Sequence, residues 1–169
     1  MNFATGSQRA SLKLMPRVLL VNLLCLSFCW LSAAQEGKPK PDFSGKWEIV
    51  KDRSDFGRMP PPVAMTLTAE KREGYLRSVQ TIQTSEGEQV QEGNWYPDGK
   101  RHDYEKPIPG YTVTRWEGDT LVTERQSNDG HYKDSIRLTM DRDGQVIETL
   151  ESLTPNGKDR LRLVWRRVP

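Results

Sequence analysis

Apolar and polar residues alternate in short runs along most of this chain, and turn signals separate the runs. Phe43, Gly45, Trp47 and Ile49 share one parity, as do Met65, Leu67 and Ala69, then Ile136, Leu138 and Met140, then Leu161, Leu163 and Trp165. Alternate positions of an extended strand face the same way, so each set can line one interior. Between the runs stand Glu73-Gly74, Glu86-Gly87, Asp98-Gly99, Gly118-Asp119, Asp129-Gly130, Asp143-Gly144 and Asn156-Gly157. Gly, Asn and Asp tolerate the positive φ of tight turns, so each pair marks a hairpin. The spacing predicts strands over Phe43–Val50, Val63–Lys71, Tyr75–Thr84, Gln89–Tyr96, Tyr111–Trp116, Thr120–Gln126, Tyr132–Met140, Gln145–Leu153 and Lys158–Arg167. A further short strand at Arg101–Glu105 ends before Pro107-Ile108-Pro109-Gly110. No amphipathic helix of useful length interrupts the series. Many short strands joined by hairpins, with Asp52–Pro62 the longest connection, favour an all-β, antiparallel up-and-down meander barrel of 8–10 strands. Closure of such a barrel removes exposed sheet edges.

The first 34 residues follow a different pattern. Arg9, Lys13 and Arg17 precede a fourteen-residue apolar run, Val18 to Leu31, and Ser32-Ala33-Ala34 supplies small residues for cleavage before Gln35. The run is shorter than the roughly 20 residues of a membrane span, and Asn22 interrupts it, so residues 1–34 read as a secretory signal. Met15-Pro16-Arg17 followed by the same run is already a complete signal, which makes Met15 an alternative start. Residues 35–42 form a polar lead-in and residues 43–169 the barrel domain, exported to a periplasmic or extracellular space.

Removing the signal changes the charge. It takes three of the 25 basic residues and no acidic ones, leaving 22 against 23 acids. The basic balance therefore belongs to the signal, and nucleic acid loses its electrostatic argument. Both cysteines, Cys25 and Cys29, lie in the signal, so no disulfide staples the mature chain. About 135 residues are enough for one self-sufficient core, and a monomer is expected.

Gly45-Lys46-Trp47 on the first strand, with an arginine-rich last strand (Arg160, Arg162, Arg166 and Arg167), resembles the calycin group of lipocalins and fatty-acid-binding proteins. Phe43-Ser44-Gly45-Lys46-Trp47, Ser54-Asp55-Phe56-Gly57, Asp98-Gly99-Lys100, Trp116 to Val122 and Asp143-Gly144 are similar to a family of small exported bacterial lipocalin-like proteins. The resemblance implies that an arginine of the last strand packs across Trp47. Arg160 and Arg162 are the candidates for that partner, and with Gly45 and Trp47 they form the structural set. It also implies a barrel that carries a small molecule. Fatty-acid-binding proteins hold a carboxylate with an Arg-x-Tyr pair on the last strand. Here that strand reads Arg160-Leu161-Arg162 and Arg162-Leu163-Val164, so fatty-acid binding is not implied.

The candidate ligand-contacting residues are Phe56, Met65, Leu67, Trp95, Tyr111, Arg115 and Trp165. Apolar walls with a few fixed polar groups suit a small ligand, and aromatic residues fill cores equally well. Arg115 shares parity with Tyr111 and Val113, so an inward face there would need an anionic partner. Ser54-Asp55 can cap a short helical turn, and Phe56 can cover the open end as a core residue or as part of a lid. His102 and His131 stand beside turns without metal-ligand spacing. No Cys nucleophile or G-x-S-x-G elbow is present, so the sequence reads as a non-enzyme without cofactor or metal. Two functions remain: a carrier of a small, partly hydrophobic molecule, or a non-catalytic structural or interaction module of the cell envelope with a filled core.

Overall fold

A computed structural model describes residues 39–106 and 108–169. The signal reading of residues 1–34 lies outside the described residues. The unit Pro41–Pro169 holds ten strands. They are β1 (Gly45–Ile49), β2 (Ala64–Arg72), β3 (Tyr75–Thr84), β4 (Gly87–Trp95), β5 (Arg101–Tyr104), β6 (Gly110–Glu117), β7 (Thr120–Ser127), β8 (Lys133–Met140), β9 (Val146–Thr154) and β10 (Gly157–Val168). Among the described residues a 3-10 turn, Lys51–Arg53, is the one helical element.

All neighbours in the sheet are antiparallel, in the order β4-β3-β2-β1-β10-β9-β8-β7-β6-β5. This is the meander the turn signals predict, at the upper strand number. The first strand pairs with the last, from Lys46↔Val168 to Ile49↔Trp165. The sheet does not close completely. Strands β4 and β5 follow one another in sequence yet end the order on opposite sides, without a ladder between them. Two features explain the open seam. Strand β4 is exposed from Gly87 to Gln91, its residues mostly Glu and Gln, so it buries too little apolar surface to draw a neighbour in. Strand β5 has four residues and stops shortly before Pro109, which has no N–H to extend a ladder.

Tryptophans fill the side of the barrel around β1 and β10. Trp47 and Trp165 are 1 % and 0 % exposed, and Leu67, Leu138, Leu163 and Val146 pack in the same core. The Trp47 indole N–H donates to the Phe43 carbonyl at 3.0 Å. Phe43 in turn stacks on Trp116, with centroids 5.8 Å apart.

The cation over Trp47 is Arg167, its guanidinium carbon 4.7 Å from the ring centroid. Arg160 and Arg162 do not fill that role, for a reason of parity. Arg167 lies opposite Trp47 in the ladder and shares a face with Leu163 and Trp165, whereas Arg160 and Arg162 face outward. Arg160 reaches Glu151 at 3.5 Å, and Arg162 donates to the Arg53 carbonyl at 3.0 Å. Gly45 has a φ of 125°, and a Cβ there would stand 3.4 Å from the Arg167 guanidinium carbon. Its lack of a side chain thus leaves the path of the cation open.

The connection after β1 also differs from expectation. Ser54 follows the 3-10 turn rather than starting a helix. Its hydroxyl donates to the Val50 carbonyl at 2.8 Å and accepts the Val164 N–H at 3.0 Å. Asp55 and Arg162 exchange backbone hydrogen bonds of 2.7 and 2.8 Å, so the chain runs along β10 as an extra edge. Phe56 is then carried into the core, and Gly57 turns away at a φ of 59°.

Replacing Trp47 with Ala removes the centre of this packing. Large aromatic deletions in cores cost about 3–5 kcal/mol, which for a domain of this size lowers Tm by roughly 10–20 °C. Thermal unfolding followed by circular dichroism checks it, and an unchanged Tm contradicts the packing role.

Candidate functional site

The ladders fix which side chains face inward. Met65, Leu67 and Ala69 of β2 are buried, and Met65↔Ile82, Leu67↔Gln80 and Ala69↔Ser78 place their β3 partners on the same face. Across β3 and β4, Leu76↔Trp95, Ser78↔Gly93 and Gln80↔Gln91 carry that face to the seam. From the other side, buried Thr114 of β6 and Thr123 of β7 lie opposite each other, their hydroxyls 3.0 Å apart. Arg125 and Ser127 follow on β7, and Arg125 pairs in register with Asp134 of β8. The interior is thus apolar around β1, β2 and β10, and polar around β3, β4, β6 and β7.

A cavity of about 1110 Å³ runs beside the open seam, between Gln91 and Trp95 of β4 and Thr112, Thr123 and Arg125 across the barrel. A second hollow of about 780 Å³ is lined by Arg58, Ser152 and Asp159. Arg125 and Asp134 line both. Sites for small molecules typically enclose about 300–1,000 Å³, so each hollow is large enough for a ligand.

Arg125 donates from Nη2 to Asp134 Oδ2 at 2.7 Å. Its Nε is buried and has no hydrogen-bond partner. On β9 the Glu148 carboxylate accepts the Trp165 indole N–H at 2.9 Å. Burial pushes the Glu148 carboxyl above the usual carboxylate range, against the opposing pull of that hydrogen bond and of the Arg125 charge.

The sequence candidates fall into three groups. Phe56, Met65, Leu67 and Trp165 are brought together in the core. Trp95 packs against that core and also lines the cavity. Tyr111 and Arg115 take the opposite parity from buried Thr114 and face outward. The Arg101 guanidinium lies 4.2 Å above the Tyr111 ring, and the Tyr111 hydroxyl donates to Gln126 at 3.2 Å, beside the second hollow. Arg115 donates to Glu117 at 2.7 Å and to Glu124 at 3.0 Å, in a network that Arg137 joins through Glu117. These charged side chains flank Val122, outward-facing yet 1 % exposed, with Arg115 and Arg137 its ladder neighbours on either side. Arg115 therefore finds its anions on the outer face.

The histidines stand next to turns, His102 on β5 and His131 after Gly130. His102 stacks on Tyr96 at 4.2 Å and sits 3.1 Å from Asp98, whose carboxyl is lowered first by the Lys100 N–H and then by His102. His131 lies 3.4 Å from Asp129, which the Ser127 hydroxyl and the His131 N–H hold below its usual range. Among the described residues no group of three or more His, Cys, Asp or Glu is placed to hold a metal ion, and no helix is long and apolar enough to cross a membrane.

Thr114, Thr123, Arg125, Asp134 and Glu148 escape the sequence reading. The available signal is the parity Leu121, Thr123, Arg125, Ser127. Adjacent Leu121 and Val122 obscure it, because both are apolar and both are buried.

No protein-family model matches the sequence, and a search of curated proteins finds no match. Solved structures do share the fold. A secretory abundant heat soluble protein 4 from Ramazzottius varieornatus superposes with a TM-score of 0.55 at 16% identity, covering 79% of this chain and 99% of that one. Lipid binding protein 8 of Caenorhabditis elegans gives a TM-score of 0.53 at 11% identity, over 75% and 95% of the two chains. The zebrafish ileal bile acid-binding protein complexed with cholic acid gives 0.53 at 15%, over 75% and 98%. The fold is thus the calycin-like barrel of these proteins, the latter two of which are binding proteins by name.

Removing the Glu148 charge tests its environment. A carboxyl raised by burial costs the folded state stability as pH rises from the unfolded value, about 4.3, through the folded one. Glu148→Gln keeps an acceptor for Trp165, so its stability relative to the parent should increase between pH 4 and pH 8. Urea melts across that range check it, and a difference that is flat or falls contradicts a raised carboxyl.

Proposed function

We propose that this protein is an exported, non-catalytic barrel that binds a small, partly hydrophobic molecule in the cavity beside the β4–β5 seam. The observation that carries the reading is the hollow of about 1110 Å³, walled by Trp95 on one side and by Arg125, Thr112 and Thr123 on the other. An apolar wall facing a few convergent polar groups is the usual composition of a ligand site. The apolar wall supplies affinity, at about 25 cal/mol per Å² removed from water. The polar groups orient the ligand. A structural module with a filled core would have no reason to keep that volume. The names of the structural neighbours, a lipid binding protein and a bile acid-binding protein among them, support the same reading.

Export rests on the sequence of residues 9–34 alone. A protein that works outside the cytoplasm as a monomer without disulfides needs a core that holds by packing, and the tryptophan-filled side around β1 and β10 fits that need.

Two measurements test the proposal. Native mass spectrometry of protein purified from its own host should show a noncovalent adduct that leaves on activation. Gln91→Trp, which fills the cavity from β4, should abolish the adduct while Tm stays within a few degrees. A wild-type protein free of any adduct that also fails to take up Nile red contradicts a binding function. For export, the mature protein should be recovered outside the cytoplasm with Gln35 as its first residue. An intact chain retained in the cytoplasm would overturn that part.

A further inference from the structure

The charges around the cavity point to the kind of head group it accepts, given the binding function proposed above. Six acidic, basic or histidine residues line it: Glu92, His102, Asp103, Lys106, Arg125 and Asp134. Three are acids and two are permanent cations, while His102 is engaged with Asp98. The wall is therefore not electropositive, and it offers a free carboxylate no net attraction.

The cation of the inner wall is already matched. Arg125 and Asp134 face each other across the β7–β8 ladder, joined by the 2.7 Å bond from Nη2 to Oδ2. A carboxylate brought to this guanidinium would lie beside Asp134, a like charge in a partly desolvated site. Glu148 adds a second acidic group within range of Arg125. What the pair leaves unspent is a hydrogen-bond donor, because Arg125 Nε is buried without a partner. A buried donor without an acceptor costs about 1–3 kcal/mol, and a ligand carbonyl or hydroxyl oxygen that displaces the side chains covering Nε would remove that cost without bringing charge. Much of the remaining inner wall is neutral, and Asp159, inward at the start of β10, is paired with Arg58 at 3.6 Å. Gln91, Thr112 and Thr123 line the cavity, and the inward positions Leu161, Leu163 and Trp165 of β10 carry no charge. Arg167, inward at the far end of β10, is committed to Trp47 and the Ser44 carbonyl.

We infer that the cavity selects uncharged amphiphiles whose head group offers an oxygen acceptor to Arg125, such as an ester, amide or alcohol, and discriminates against free carboxylates. Asp134 is the residue that sets this preference, through its charge.

Displacement of the neutral dye Nile red by dodecanoate and by methyl dodecanoate at pH 7.5 provides the test, since the two share one apolar tail. The ester should bind at least about tenfold more tightly. An ester also partitions more strongly out of water, so the deciding measurement is the same ratio in Asp134→Asn. The ratio should fall severalfold there, through a gain for dodecanoate. An unchanged ratio assigns the preference to partitioning and overturns the role of Asp134. Arg125→Met, with the fold checked by circular dichroism, should weaken the ester without strengthening it in any case; an unaffected ester overturns the role of Arg125. Dodecanoate binding as tightly as the ester in the parent protein overturns this inference and leaves the binding function standing. Failure of dye and both probes to bind overturns the binding function itself.

Discussion

Strands β1 and β10 hydrogen bond side by side at the centre of the sheet order, and the rest of the barrel is arranged about that pairing. It joins chain segments more than a hundred residues apart, so it carries a large loop-closure cost that local hairpins do not. The residues that offset this cost are concentrated at the junction. Trp47 and Trp165 are buried on the two strands, and Arg167 bridges the ladder to lie over the Trp47 ring. A cation over an indole face contributes roughly 0.5–2 kcal/mol, while burial of the two indoles contributes more. From this junction two wings extend, β2 to β4 on one side and β9 to β5 on the other. Their free edges face each other across the open seam. The position of the seam, and of the cavity behind it, follows from the order of the strands and from the thinning of apolar residues toward β4.

Backbone features were largely legible in the sequence because turn residues and alternation encode them locally. Tyr75–Thr84 matches the prediction at both ends, and the remaining strands differ by a residue or two. Features that depend on partners three or more strands away were harder to read. The Trp47 cation is an example: Arg160, Arg162, Arg166 and Arg167 are equivalent in composition. Only the ladder Trp47↔Arg167 selects one of them. Tyr111 and Arg115 show the same limit, since Tyr111 and Val113 make their face the more apolar of the two and so point to the wrong parity. There the burial of threonine on the inner face decides the parity, and threonine belongs equally to inner and outer faces of strands. The seam was invisible because it depends on what β4 fails to bury.

The polar interior is costly. Thr114 with Thr123, Arg125 with Asp134, and Glu148 with Trp165 form paired hydrogen bonds inside a small barrel. Apolar residues of similar volume at such positions are often equal or better for stability. The pairs are satisfied, with the exception of Arg125 Nε, and so they sit at the boundary between packing and recognition. On the apolar side the polar contacts serve the tryptophans, with Arg167 over Trp47 and Glu148 on the Trp165 indole. On the hollow side hydrogen-bonding groups face the cavity, with Thr123, Arg125 and Asp134 among its lining. Under the proposed binding function, that division gives one wall to stability and the other to selectivity.

The open seam poses a separate problem, because unpaired strand edges recruit other strands. Strand β4 carries Glu88 and Glu92 along the exposed edge, and Glu92 is held by Arg77 of β3 at 3.1 Å. Charges on an edge oppose pairing with another copy, and the four residues of β5 are too few to template a strand. The same features keep the two edges from zipping to each other, which would close the barrel and bury the cavity. Along β10 the opposite solution applies: Asp55 and Ser54 occupy backbone groups of the last strand, and Phe56 seals the core beneath them. Under the proposed binding function, access for a small molecule is therefore directed to the seam. The acidic and glutamine-rich β4 edge and the short β5, which by themselves look like poor strand design, keep the two edges apart without inviting aggregation.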